Sequence, residues 1–164
     1  MPACGPWCIL AAPWAVPGAI AMPRRYVQLD VFASRPGTGN PLGAVLDAEG
    51  LDTASMQAIA AWLNLSETIF FLPPDAGADY RIRIFTPGSE LPFAGHPSVG
   101  AAWLATTHGL ATPRDGRLVQ QCAAGLLPAE VHGDPLRPGI RLPSPRGRLL
   151  DASPGTLPAE LAAI

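Results

Sequence analysis

The sequence predicts an α+β domain. Three observations predict it: short segments whose apolar residues alternate with period two, one segment whose apolar residues share a helical face, and a second helix that is apolar almost all round. At 164 residues, 48% of them hydrophobic, the chain can bury a substantial core, and its length suits one domain.

Residues 26–32 set Val27, Leu29 and Val31 against Gln28 and Asp30, the period of a strand with one buried face. A turn-rich loop follows, Arg35-Pro36-Gly37-Thr38-Gly39-Asn40-Pro41, and then a short second strand over 43–46. Asp52 or Thr53 can cap a helix in which Met56, Ile59, Ala60 and Leu63 lie on one face, and Asn64 ends it. Residues 68–72 are apolar, rich in β-formers and closed by Pro73-Pro74, which predicts a strand covered on both faces. Residues 79–85 alternate again, with Tyr80, Ile82 and Ile84 opposed to Arg81 and Arg83.

The next loop, from Phe85-Thr86-Pro87-Gly88 to Gly95-His96, delivers one histidine to the start of a helix. Pro97 suits the first helical position, nothing breaks the helix before His108, and Gly109 is its natural stop. Residues 99–105 are all apolar or glycine, so this helix is expected to be surrounded by protein. Its first turn offers unpaired N–H groups and the positive end of the helix dipole, a place for a carboxylate or a developing negative charge. Further strands are expected over 118–122, 126–131 and 140–142, separated by glycine and proline.

Composition excludes several partner classes. A net charge of −2, with basic residues scattered, gives no footprint for nucleic acid or an anionic membrane. A small molecule or another protein is the expected partner. Cys4, Cys8 and Cys122 have no metal-ligand spacing and neither do His96, His108 and His132, so no metal is predicted. Three cysteines without a disulfide pattern suit a reducing, cytoplasmic setting.

Residues 1–21 carry no charged side chain and four prolines. Pro13 and Pro17 break what would be the apolar stretch of a secretion signal or a membrane span, although Ala19-Ile20-Ala21 resembles a cleavage site. The segment is read as a disordered or upstream extension, with the domain starting at Met22 and running to residue 150. Residues 156–164 place Leu157, Leu161 and Ile164 in helical register, so 151–164 is read as a connecting helix or the start of a truncated second lobe.

Gly39-Asn40-Pro41, Asn64-Leu65-Ser66-Glu67-Thr68 and the run from Phe85-Thr86-Pro87 through Glu90-Leu91-Pro92-Phe93-Ala94-Gly95-His96-Pro97, in that order, resemble the phenazine biosynthesis protein PhzF family. The resemblance runs from about Arg24 to about Val131. It implies a diaminopimelate epimerase-like lobe, a strongly curved mixed sheet wrapped around a central helix, with an active site in a cleft between two such halves. The acid/base glutamate of the family falls on Glu67, and the Gly-His pair that contacts substrate falls on Gly95 and His96. Diaminopimelate epimerases and proline racemases share this fold but use two cysteines, and no cysteine stands at either motif. The family's second half supplies an aspartate and an Asp-Pro-x-Thr-Gly-Ser motif; nothing like it occurs before Ile164, which reads the chain as the N-terminal lobe.

On residue pattern alone, Glu67 is either a solvated glutamate after a helix or, beside Ile69 and Phe71 on one strand face, a carboxyl suited to proton transfer. His96 is either a helix-entry residue bonded to backbone or a proton carrier, and Asn40 either shapes a turn or binds ligand. Glu90 and Ser98 are expected to organise the loop and the helix start, and Trp62 and Trp103 to lie on core faces. The resemblance implies a cofactor-independent isomerase: Glu67 moves a proton between carbons of a small carboxylate-bearing substrate held by Gly95, His96 and Asn40. The alternative is a non-catalytic lobe that binds a small acid or pairs with another polypeptide, as a homodimer or with a missing second lobe.

Overall fold

The computed structural model describes residues 23–135 and 137–143. The extension at 1–21 and the segment 151–164 lie outside the described residues.

β1 (Tyr26–Val31) and β2 (Asn40–Val45) form an antiparallel pair, and β3 (Glu67–Leu72) then lies parallel to β2. Antiparallel β4 (Tyr80–Phe85) follows and carries the two-residue β5 (Glu90–Leu91) beside its end. β6 (Arg117–Cys122) is parallel to β4, and β7 (Gly125–Asp134) and β8 (Arg137–Arg141) complete a meander, giving the order β1-β2-β3-β4-β6-β7-β8. Parallel neighbours cannot be joined by a tight turn. The two parallel steps are accordingly spanned by helices, α1 (Thr53–Leu63) between β2 and β3 and α2 (Gly95–Thr107) between β4 and β6.

Strand alternation sends successive side chains to two different cores. Leu42, Ala44, Ile69, Phe71, Ile82, Ile84, Leu118 and Ala129 point inward to α2, which touches β1, β2, β3, β4, β6 and β8. A helix that meets both ends of one sheet must have that sheet curled around it. The expected curved mixed sheet around a central helix is thus the observed fold. On the outer face Val45, Phe70 and Phe85 pack under Met56 and Ala60 of α1, with the two phenyl rings edge to face at 5.4 Å. β3 is covered on both faces, as its composition predicts.

Several boundaries differ from expectation for local reasons. β2 begins at Asn40 because the Asp30 carboxylate accepts the N–H groups of Gly37, Thr38 and Gly39 and closes the preceding turn tightly. Asp52, not Thr53, caps α1 by accepting from the Ser55 N–H at 2.7 Å. α2 starts two residues before Pro97, whose missing N–H costs nothing within the first turn. Its enclosure is incomplete, since Val99 and Trp103 are only partly buried. Trp62 is a correction: it stands 82% exposed on the solvent side of α1, whereas Trp103 does pack against the core.

Candidate active site

Glu67 is the first residue of β3 and shares the inner face with Ile69 and Phe71. It is delivered there by Asn64, which ends α1 in the left-handed conformation (φ 51°, ψ 37°) while its N–H donates to the Ala60 carbonyl. Because β2 and β3 are parallel with Leu42 opposite Glu67, Asn40 and Glu67 lie at the same rim of the sheet and, by alternation, on the same face. Asn40 is exposed there, paired with Val31.

His96 reaches this rim from the first turn of α2. The loop before it is held at several points: Gln57 of α1 donates to the Thr86 and Pro87 carbonyls at 3.0 and 3.1 Å, and Thr86 Oγ1 accepts from Gly88 and Ser89 N–H. Glu90 pairs with Arg83 at 2.6 Å, so it organises this loop as expected. The outcome is that Nε2 of His96 lies 3.1 Å from Oε2 of Glu67, with the side chains only 12% and 17% exposed. They form an ion pair whenever the imidazole is protonated. Yet the approach is misaligned for a hydrogen bond, and neither atom has another hydrogen-bonding partner among the described residues. A buried polar atom without a partner is costly, so both atoms keep unused hydrogen-bonding capacity.

The helix start adds to that capacity. Ala94 at the N-cap gives no side-chain cap, and Pro97 has no N–H, which leaves the amides of Gly95 and His96 to open α2. A Cβ placed on Gly95 would meet nothing within 4 Å among the described residues, so they do not require glycine there. The bare backbone is open to whatever lies in front of it. Gly95, His96 and Glu67 therefore converge, with Asn40 further along the same rim. Among the described residues no three of His, Cys, Asp and Glu gather as a metal would need. No described helix is long and apolar enough to cross a membrane.

A separate groove of about 410 Å³ follows the seam between β1 and β8, lined by Leu29, Val31, Phe32, Val99, Trp103 and Ile140. None of the four candidate residues lines it. One contributor to the rim was not foreseen: Asp30, which shapes the turn before Asn40. A carboxylate at the end of a strand, ahead of a glycine-rich turn, was the available signal for Asp30.

The family profile described as phenazine biosynthesis-like protein matches residues 29–143. The chain belongs to this PhzF family. Antisense-enhancing sequence 1 of Schizosaccharomyces pombe is 44% identical over 110 residues, 66% of this chain and 37% of that protein. The trans-2,3-dihydro-3-hydroxyanthranilate isomerase of Pseudomonas aeruginosa is 46% identical over 104 residues, 63% of this chain and 36% of the relative. The crystal structure of a PhzF-family protein of Bacillus anthracis superposes with a TM-score of 0.65 at 36% identity, covering 74% of this chain and 40% of that one. The chain thus spans well under half the length of each of these PhzF relatives.

Proposed function

We propose that this PhzF lobe carries the acid/base half of a cofactor-independent isomerase. Glu67 takes a proton from a carbon beside an electron-withdrawing group of a small carboxylate-bearing substrate. The electron pair moves into the conjugated system, and protonated Glu67 returns the proton to a different carbon, so electrons balance without a redox partner. The transient anion is held by the His96 N–H and the amides of Gly95 and His96, donors fixed before the reaction starts. Asn40 contacts the substrate from the same rim. The observation that carries this reading is the 3.1 Å approach of Glu67 to His96, both short of hydrogen-bonding partners, beside an uncapped helix start.

The test is hydrogen exchange. With trans-2,3-dihydro-3-hydroxyanthranilate in deuterated water, the chain should incorporate deuterium at carbon and the Glu67→Gln chain should not, at unchanged melting temperature. Retained exchange in Glu67→Gln refutes the role.

A second reading, a non-catalytic lobe that binds a small acid or pairs with another polypeptide, is favoured by one observation. Phe32, beside the β1/β8 seam, is 70% exposed at a positive φ of 62°, an unusual place for a large apolar side chain. Substrate-induced chemical-shift changes without exchange, or concentration-dependent association in sedimentation, would favour it.

A further inference from the structure

The inner core around α2 contains a line of polar side chains. Tyr80 on β4 donates its hydroxyl to Gln120 Oε1 on β6 at 3.2 Å, and Gln120 Nε2 donates to Ser98 Oγ on α2 at 3.0 Å. Gln120 and Ser98 are fully buried and Tyr80 nearly so. Burial raises the Tyr80 pKa, with Cys122 and Asp79 adding to the effect, so the phenol remains a neutral donor. Placing a glutamine among Leu118, Cys122 and Ala129 costs desolvation that an apolar residue would avoid.

What the line provides is direction. Apart from Pro97, Ser98 and Leu104, the buried face of α2 is built from Gly100, Ala101, Ala102 and Ala105, small residues that add few ridges of their own to fix how the helix turns within the sheet. Apolar burial is non-directional, whereas the Gln120–Ser98 hydrogen bond is satisfied only over a narrow range of distance and angle. Ser98 is two residues beyond His96, so a tether there holds the first turn of the helix.

We infer that Gln120 is a positioning residue: through Ser98 it fixes the height and rotation of the α2 start, and thereby sets His96 against Glu67. This deepens the isomerase reading by naming what holds its two central groups in register. Its test needs no substrate, so its outcome is separable from that of the exchange experiment.

The probe is the His96 imidazole in a long-range proton–nitrogen correlation spectrum of the full chain, identified by its loss in His96→Asn. In the wild type, Glu67→Gln should displace the His96 ring resonances. In the Gln120→Leu and Ser98→Ala backgrounds the same displacement should fall at least two-fold while the spectra remain those of a folded protein. Ser98→Ala removes only a hydroxyl from a helix, so it decides the matter if Gln120→Leu does not fold. A displacement of full size in folded Ser98→Ala overturns the inference. So does a wild type in which Glu67→Gln leaves His96 unmoved.

Discussion

Gly100 of α2 lies directly against Leu42 of β2: a Cβ on the glycine would stand 2.5 Å from Leu42 Cδ2, 3.1 Å from Val31 Cγ2 and 3.4 Å from Leu29 Cδ1. Leu42 is fully buried in the core around α2, so its side chain must shift against packed neighbours to make room. Gly100→Ala should therefore destabilise the lobe by about 1–3 kcal/mol, even though alanine is the better helix former. Urea unfolding measures this, and an unchanged midpoint would show that the helix shifts outward without penalty.

Gly95 gives the opposite expectation, because open space surrounds its missing side chain. Gly95→Ala should leave stability equal or raise it by up to about 1 kcal/mol. The added methyl stands beside the open amides, so affinity for a small carboxylate ligand should fall roughly ten-fold, about 1.4 kcal/mol. Calorimetric titration paired with a thermal melt separates the two effects; intact binding would place the ligand elsewhere.

Asn64 ends α1 in a left-handed conformation that suits asparagine and glycine. Asn64→Ala should cost about 1–2 kcal/mol from backbone strain, and Asn64→Gly should cost little. Equal losses in both variants would mean that the amide side chain, not the backbone, is what matters.

The Arg25 guanidinium hydrogen-bonds the Asp47 carboxyl and holds its pKa at about 2, below the ordinary 3.8. A depressed folded-state pKa stabilises above the unfolded value and is lost as pH falls through the folded one. Both side chains are substantially exposed, so the benefit is small. Asp47→Asn should lower the melting temperature slightly at pH 7, and the gap from wild type should close as pH drops from about 4 to about 2. A gap that persists at low pH would assign the effect to packing.

Much of the fold is legible in the residues because period two and period 3.6 are each imposed by burial. Val27, Leu29 and Val31 mark β1, and Met56 and Ala60 mark the buried side of α1. The family motifs likewise point to Glu67, Gly95 and His96, which the fold brings together. β5 is hidden because two residues carry no period. Trp62 was expected inside on residue type, yet its helical phase differs from that of Met56 and Ala60, and phase prevails. Gln120 is illegible for a deeper reason. A glutamine in a strand reads as outward-facing, and only the tertiary neighbours Ser98 and Tyr80 make an inward one affordable.

The parallel step from β2 to β3 has a consequence at a distance. A chain that must run the same way twice has to be carried back first, and α1 is the return leg; its length determines at which lip of the half-barrel the acid emerges. Removing one residue from that helix would rotate its exit by about 100° and could turn Glu67 from the inside of the bowl to the outside. A helix on the outer face thus sets where Glu67 stands on the inner one.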